Sequence, residues 1–256
     1  MKRKFCTVLI TTLLLLSVAI HANAAECTYT WFIKRNGKDT PGFSRESAMV
    51  ESNNGYYIDK DAAKSNDKIL YLTFDAGYEN GNIEKILDIL KNEDVPAAFF
   101  ILDNLILKNA DLVSRMSEDG HLVCNHTKNH RDLTKCTREE IIENISDLEK
   151  IYEEKTGKTL AKYFRFPEGR YSEESLQIIS DMGYKTVFWS FAYADWDNKK
   201  QPDTQKAYRK VLENTHDGAV ILLHPTSTTN VEILPLLIKE WKSQGYRFGT
   251  LDDLTK

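Results

Sequence analysis

The sequence predicts an α/β fold, a distorted (β/α) barrel of about seven strands with an irregular N-terminal extension. Short apolar, β-rich runs recur from Lys68 onward, and helical patterns separate most of them. Strands that alternate with helices are joined by crossovers and run parallel. Hydrophobic residues make up 41% of the 256 residues, with only 12 Gly and 6 Pro, which excludes disordered and collagen-like chains. The predicted strands are 69–74, 97–102, 121–124, 163–166, 186–191, 219–223 and 246–251.

The helices between these runs are predicted from apolar spacing and capping residues. Four apolar residues from Ile83 to Leu90 follow i, i+3, i+4, i+7 spacing, which is one face of a helix. Thr137 and Glu140 have the spacing of a capping box, so we expect a helix to begin there. Ser172 is a good N-cap for the next helix. The remaining predicted helices cover residues 202–216 and 231–244.

The first 24 residues have the pattern of a secretory signal peptide. Met1-Lys2-Arg3-Lys4 is basic, residues 5–20 are apolar, and Ala22-Asn23-Ala24 supplies small residues for cleavage after Ala24. The alternative is an uncleaved membrane anchor, although the apolar core is slightly short for a spanning helix. A second apolar stretch of that length is absent from the sequence, so we expect no stable membrane span after processing.

Net charge argues against a nucleic-acid-binding protein. The formal charge is −4, and loss of the basic start of the chain changes it to −7. The sequence pI is about 5.9, and no other basic block is present. We expect residues 25–66 to form a polar, turn-rich extension and residues 67–256 to form the catalytic domain.

Three cysteines remain after the predicted cleavage, Cys27, Cys124 and Cys136. An odd number excludes a complete disulfide framework. Cys124 and Cys136 can pair outside the cytosol. The alternative is that all three are unpaired.

Polar residues follow five of the predicted strands. In parallel α/β folds, ligands bind beyond the carboxyl ends of the strands, so these residues are the candidates for a site. Two histidines four residues apart can face one metal ion, although such a pair also arises by chance on a surface. Each of the other candidates also has a purely structural explanation, for example as a helix cap, and it is their joint occurrence that indicates a site. The candidates are Asp75, His126, His130, Arg165, Asp195 and His224.

These residues lie in five motifs that resemble those of the polysaccharide deacetylases, carbohydrate esterase family four. The motifs occur in the family's order and the resemblance covers about residues 66–253. A narrower resemblance, through the stretch from Asp75 to Gly81 and Phe188-Trp189-Ser190, is to the δ-lactam-biosynthetic de-N-acetylases of spore cortex peptidoglycan. The five motifs are Thr73-Phe74-Asp75, His126-Thr127-Lys128-Asn129-His130, Arg165-Phe166-Pro167, Asp195-Trp196 and Leu222-Leu223-His224.

The resemblance implies hydrolysis of an N-acetyl group on an amino sugar. A divalent metal ion, zinc or similar, on His126 and His130 would activate water and polarise the carbonyl group. Asp75 would act as the base, and Arg165 would pair with it and hold it ionised.

The same resemblance implies the remaining roles. His224 would protonate the leaving nitrogen as a general acid, and Asp195 would hold its ring and favour its protonated form. The backbone N–H of Glu168, just past Pro167, would contribute an oxyanion donor.

The sequence departs from most of the family at Ala76, where a second aspartate usually completes the metal ligands. Only two clear ligands remain, and catalytic zinc usually has three. As the δ-lactam subgroup is understood to lack this carboxylate too, the change supports the subgroup. We therefore expect weak metal binding, with water or Asp75 in the third position.

Muramic acid carries a lactyl carboxylate that N-acetylglucosamine lacks. Position 168 is Glu, where a basic or neutral residue is expected, and Arg170 can bind a carboxylate with two hydrogen bonds. The alternative is that Arg170 pairs with Glu173 or Glu174 on the surface. Tyr78 and Trp196 are candidates for stacking on sugar faces.

The sequence thus predicts a secreted deacetylase on the cell-wall or cortex side of the membrane, acting on N-acetylmuramic acid in peptidoglycan glycan strands. One alternative is a deacetylase of N-acetylglucosamine in peptidoglycan or a chitin-like polymer. Another is a metal-free glycan-binding module, although a binder needs neither the acid nor the base.

Overall fold

The computed structural model describes residues 27–256, so the predicted signal peptide lies outside the described residues. Its centre is a curled parallel sheet with the strand order β11-β12-β5-β6-β7-β8-β10-β4, and β13 pairs with the start of β5. The N-terminal strands are β1 (Tyr29–Thr30), β2 (Ile33–Lys34), β3 (Gly42–Phe43) and β4 (Gly55–Tyr56). They are followed by β5 (Ile69–Ala76), β6 (Ala97–Ile101), β7 (Leu122–Asn125), β8 (Ala161–Phe164), β9 (Arg170–Tyr171), β10 (Lys185–Val187), β11 (Phe191–Ala192), β12 (Ala219–Leu223) and β13 (Arg247–Phe248).

Helices connect the strands and cover the outside of the sheet. Two 3-10 turns, Leu133–Lys135 and Pro167–Gly169, complete the regular elements of the described chain. No helix in residues 27–256 is long and apolar enough to cross a membrane. The helices are α1 (Ser47–Ser52), α2 (Lys60–Ser65), α3 (Ile83–Asn92), α4 (Asp103–Lys108), α5 (Ala110–Glu118), α6 (Arg138–Thr156), α7 (Glu173–Asp181), α8 (Thr204–Glu213), α9 (Thr228–Ser243) and α10 (Leu251–Leu254).

The predicted α/β barrel is confirmed, with nine strands in the main sheet instead of about seven. One extra strand arises because the run 186–191 divides into β10 and β11. Between them the chain changes neighbours, since Phe188 N–H donates to Tyr56 O and Ser190 N–H donates to Val220 O. The other extra strand is β4, which the N-terminal segment adds beside β10.

The predicted helix signals have the expected physical basis. Ile83, Ile86, Leu87 and Leu90 are all buried on one face of α3, where they pack in the main apolar cluster. Thr137 forms a capping box at the start of α6, with its hydroxyl accepting from Glu140 N–H. The apolar spacing therefore predicted the buried faces correctly.

The segment before β5 consists mostly of loops with short elements, and it packs onto the barrel. β1 pairs antiparallel with β9, and Trp31 is 3% exposed. Its ring stacks on Phe188, with the centroids 4.8 Å apart. This segment thus contributes aromatic side chains to the apolar cluster around Phe166 and Phe188.

Cys27, Cys124 and Cys136 are all unpaired, so the optional Cys124–Cys136 disulfide is not formed. Cys124 is buried on β7 in the barrel interior, where burial raises the pKa of its thiol. Cys136 is partly buried at the end of the Leu133–Lys135 turn.

Candidate active site

Asp75 and Arg165 form an ion pair at the carboxyl end of the sheet. Arg165 Nη1 lies 2.9 Å from Asp75 Oδ1, and the Arg165 side chain is completely buried. Burial acts to raise the pKa of Asp75, but the neighbouring His126, Arg165 and His224 outweigh it and lower the pKa below its ordinary value. Asp75 is therefore ionised at neutral pH and held in one orientation.

The guanidinium group of Arg165 is itself held from several sides. Its Nε donates to Val187 O at 2.8 Å, and its Nη2 donates to Thr73 Oγ1 at 3.0 Å and to Phe188 O at 3.2 Å. The group also lies over the Phe100 ring, 4.1 Å from the centroid. Because a buried charge needs partners on all its donors, these contacts leave Arg165 little freedom to move.

His126 has a defined tautomer. Its Nδ1 lies 2.8 Å from Arg165 O, and since a carbonyl only accepts, Nδ1 carries the proton. Burial lowers the pKa of His126 to about 4, so the ring is neutral at pH 7. Its unprotonated Nε2 faces Asp75 Oδ2 at 3.6 Å, and the ring of His130 lies 5.1 Å away between centroids.

His224 and Asp195 form a second acid–base pair in the same site. His224 Nδ1 lies 2.7 Å from Asp195 Oδ1, and the main-chain N–H of His224 donates to Asp195 Oδ2 at 2.8 Å. Burial acts to lower the pKa of His224, but Asp195 and the more remote Asp75 outweigh it and raise the pKa. The ring is partly exposed, so its Nε2 is available to a ligand.

Asn230 on α9 supports this pair, and the sequence patterns gave no reason to select it. Its Nδ2 donates to Asp195 Oδ2 at 2.6 Å and to His224 O at 3.0 Å. Its Oδ1 accepts from the Tyr193 hydroxyl. Asn230 is completely buried, and all its amide groups are used by these contacts.

Two loops of the site are tied together by asparagine side chains. Asn80 and Asn82, which follow the β5 strand, both donate to Thr226 O at 2.9 Å. Thr226 lies two residues after His224. The loop that follows the candidate base and the loop that carries the candidate acid are therefore joined directly.

Three non-glycine residues near the site have positive φ: Thr127 (71°), His130 (60°) and Glu168 (55°). This region of φ is uncommon for residues with a side chain and is costly for a β-branched residue such as Thr127. Local strain of this kind is concentrated at functional sites, because the surrounding fold must hold it in place.

Glu168 and Arg170 pair with each other. Arg170 Nη2 lies 3.0 Å from Glu168 Oε2, and Nη1 lies 3.5 Å from Asp132 Oδ2. Arg170 is thus already balanced by two carboxylates, so the surface pairing considered as the alternative is present in kind, with Glu168 and Asp132 as partners. A substrate carboxylate would have to compete with these two groups.

Tyr78 and Trp196 are exposed aromatic side chains on two different loops, 44% and 63% exposed. Asn198, two residues after Trp196, donates to the Tyr78 hydroxyl and so connects the loops. Aromatic rings presented to solvent beside a polar site can stack on sugar rings.

The residues present fit a divalent metal ion only in part. His126 has the tautomer of a metal ligand, and its unprotonated Nε2 faces the ionised carboxylate of Asp75. Ala76, at the position of the family's second aspartate, is completely buried and packs in the main apolar cluster. Within residues 27–256 no three His, Cys, Asp or Glu side chains form a ready ligand cluster.

Comparison with known proteins identifies the family. The family model for polysaccharide deacetylase matches residues 62–187. The chain is 34% identical over 252 residues to peptidoglycan-N-acetylmuramic acid deacetylase PdaA of Bacillus subtilis, covering 97% of this chain and 94% of that protein. It is also 34% identical over 196 residues to peptidoglycan-N-acetylglucosamine deacetylase PgdA of Listeria monocytogenes, covering 75% of this chain and 40% of that protein.

A solved structure gives the same result. The structure of Bacillus subtilis PdaA, described as a family 4 carbohydrate esterase, matches with a TM-score of 0.83 and 35% identity. The match covers 89% of this chain and 96% of that chain. The protein is therefore a hydrolase related over nearly its whole length to peptidoglycan deacetylases. It belongs to the polysaccharide deacetylase family, carbohydrate esterase family four, as its five motifs predicted.

Proposed function

We propose that the protein is a secreted peptidoglycan N-deacetylase that removes the acetyl group from N-acetylmuramic acid, a step towards muramic δ-lactam in spore cortex. The observation that carries this proposal is the pairing in one site of an ionised carboxylate, Asp75, with a histidine whose pKa is raised, His224. Amide hydrolysis needs a base for water and an acid for the amine, and environments that push two pKa values in these directions supply both.

Similarity supports the choice of muramic acid. The relative named as an N-acetylmuramic acid deacetylase aligns with 97% of this chain, whereas the relative PgdA, named as an N-acetylglucosamine deacetylase, aligns with 75% of it. Ala76 adds to this, since the δ-lactam subgroup that the sequence resembles is understood to have no aspartate there.

We propose that His126 and His130 hold a weakly bound divalent metal ion, zinc or similar, with Asp75 next to it. Bound there, the ion would supply Lewis acidity, lowering the pKa of water and polarising the acetyl carbonyl. The hydrogen bond from His126 Nδ1 to Arg165 O keeps the other ring nitrogen unprotonated, as a ligand requires.

The protein's own groups then carry the proton transfers. Asp75 takes a proton from water as the water oxygen bonds to the acetyl carbon. Arg165 keeps the carboxylate of Asp75 oriented and ionised before this step. The backbone N–H of Glu168 donates to the oxygen that becomes negative in the tetrahedral intermediate.

His224 completes the reaction. Its Nδ1 proton is used by Asp195, so the proton on Nε2 passes to the amide nitrogen as the carbon–nitrogen bond breaks. Acetate and the free amine of the sugar are released. Asp195 stabilises the protonated ring before transfer, which raises the fraction of His224 that is active at neutral pH.

Substrate binding is proposed for the residues around this centre. Tyr78 and Trp196 stack on sugar faces of the glycan strand, and Arg170, with Glu168 beside it, binds the lactyl carboxylate. The contacts of Arg170 with Glu168 and Asp132 keep its guanidinium group in place while lowering its net attraction for an anion.

Two alternatives remain for the test. Similarity to PgdA favours an N-acetylglucosamine deacetylase of peptidoglycan or a chitin-like polymer. A glycan-binding module without metal is the second, and the raised pKa of His224 argues against it, since binding alone needs no general acid.

Acetate release separates these functions. Purified protein is incubated with peptidoglycan, with glycan strands stripped of stem peptides, and with chitin oligomers, each with added divalent metal. We expect acetate from muramic-acid-containing strands. Acetate from chitin oligomers alone would overturn the muramic assignment, and no acetate from any glycan would leave the binding module.

A further inference from the structure

We propose that Trp31 is a positioning residue for the active site, an inference that rests on the function proposed above. Trp31 lies outside the part of the chain that matches the family model, residues 62–187. It joins two segments that border Arg165: the 166–169 turn, which carries the candidate oxyanion donor, and the 188–189 segment. The conformation of the site thus depends on the N-terminal segment.

The first group of contacts is to the 166–169 turn. The main-chain N–H of Trp31 donates to Gly169 O at 2.8 Å. Glu168 and Gly169 both have positive φ, 55° and 64°, so the turn is built on two consecutive left-handed residues. A Cβ on Gly169 would lie 3.1 Å from Trp31 Cβ and 2.9 Å from the Trp189 ring. Trp31 and Trp189 therefore lie close to Gly169 and leave no room for a side chain at this position.

The second group is to the 188–189 segment. The indole Nε1 of Trp31 donates to Trp189 O at 2.9 Å, and its ring is stacked on Phe188 at an interplanar angle of 15°. Phe188 O in turn accepts from Arg165 Nη2 at 3.2 Å. One side chain thus reaches the segment that supports the arginine of the candidate base.

Both groups of contacts approach the proposed reacting atoms: the first borders the Glu168 N–H, and the second reaches Asp75 through Phe188 and Arg165. The main-chain N–H of Trp31 supports the turn at Gly169, and this hydrogen bond is kept in every Trp31 variant. Through Phe188 O the Trp31 side chain supports Arg165, which is 2.9 Å from Asp75. Misplacement by about 1 Å, even from a change remote from the chemistry, costs on the order of a hundredfold in rate. The positioning role therefore predicts a loss in kcat and not only in stability.

The test compares matched tryptophan variants. Trp31→Phe keeps a stacking ring and removes the indole donor, while Trp31→Ala removes both. The control is Trp241→Phe, because Trp241 is also buried and its Nε1 also donates a hydrogen bond, to Thr215 Oγ1 at 2.9 Å, within the α9 side of the core. The control therefore loses the same groups away from the site.

Acetate release is measured per folded molecule over a range of glycan concentrations. We expect kcat to fall about tenfold in Trp31→Phe and about a hundredfold in Trp31→Ala, with KM nearly unchanged. Trp241→Phe is expected to keep the wild-type kcat. Equal losses in Trp31→Phe and Trp241→Phe, or a wild-type kcat in both Trp31 variants, would overturn the proposal.

A second measurement does not need activity. Amide hydrogen exchange by NMR is followed at Glu168, Gly169 and the 188–190 residues. We expect faster exchange at residues 188–190 in Trp31→Ala, with strand β6 unchanged. If the wild type releases no acetate, the proposed function fails, and this exchange still decides the role of Trp31: unchanged protection at residues 188–190 would refute it.

Discussion

Asp195 accepts hydrogen bonds from His224 with both of its carboxylate oxygens, Oδ1 from the ring Nδ1 at 2.7 Å and Oδ2 from the main-chain N–H at 2.8 Å. One carboxylate thus fixes both the position of the backbone and the rotation of the ring. Asn230 donates to the same Oδ2, so Asp195 has little freedom to move away. The orientation of the His224 ring, and with it the direction of its Nε2, is consequently fixed by Asp195.

Asp195→Asn should shift the pH dependence of turnover. The pKa of His224 is raised in the folded enzyme by Asp195, so the protonated acid is present below that pKa and is lost as pH rises through it. Removing the carboxylate lowers this pKa and moves the alkaline limb of the kcat profile to lower pH. At neutral pH kcat should fall by about a hundredfold.

Asp203→Asn is the control for this prediction. Asp203 caps α8 through a hydrogen bond from Lys206 N–H and has no contact with His224 among those described. The alkaline limb of the kcat profile of Asp203→Asn should match that of the wild type. An unchanged limb in Asp195→Asn would contradict the assigned partnership.

Asp75→Asn and His224→Ala should each lower kcat by a hundredfold or more, which is about what general acid–base catalysis supplies. The amide in Asp75→Asn keeps the shape of the side chain but cannot accept the proton from water. Rates are compared at saturating glycan on protein whose folding is checked by circular dichroism. Wild-type turnover in either variant would refute its role.

Removal of divalent metal should suppress acetate release, and adding it back should restore the activity. His130→Ala should need a higher metal concentration for half-maximal activity, because one of the two proposed imidazole ligands is lost. His216→Phe serves as the comparison, since that ring is occupied by Ser190 and Asn214. Full activity after treatment with chelator, verified by metal analysis, would show that the reaction needs no metal.

His121→Phe should make the protein more resistant to mild acid. In the described part of the chain both ring nitrogens of His121 are buried without hydrogen-bond partners, and the ring packs on Phe99. Burial lowers the pKa of His121 to about 4. The unfolded chain therefore binds a proton below about pH 6.5 that the folded protein does not, and stability is lost as pH falls.

Between pH 7 and pH 5 this one residue should lower the free energy of unfolding of the wild type by about 2 kcal/mol. His121→Phe should not show this loss. Urea unfolding at the two pH values measures the difference. In His216→Phe, where a bonded histidine is removed, stability should instead fall at pH 7. An equal acid loss in wild type and His121→Phe would be inconsistent with the buried neutral ring.

The sequence predicted the parts of the fold and site that depend on local patterns. Apolar spacing identified the buried face of α3, and capping residues located the start of α6. Strand ends placed Asp75 and Arg165 in one set of candidates, and the family resemblance implied their pairing, although 90 residues separate them. Strand ends were thus sufficient to select the main candidates.

Other features depend on contacts that no local pattern encodes. Glu168 has a positive φ, and nothing in the sequence indicates this conformation, because glutamate rarely adopts it. Asn230 sits inside a helix, where an asparagine usually has no special role, and only the fold brings it to Asp195. Trp31 was assigned to an irregular extension because the segment around it is polar and turn-rich, and its stacking partner Phe188 is more than 150 residues away.

Arg165 fills the interior of the barrel as well as serving the candidate base. Its hydrogen bonds reach Thr73 on β5 and, at the end of β10, the carbonyl groups of Val187 and Phe188. A substitution at this position would therefore reduce the yield of intact protein in the cell together with its chemistry. A genetic screen that scores only spore or wall phenotype would merge the two effects, and protein abundance would have to be measured alongside it.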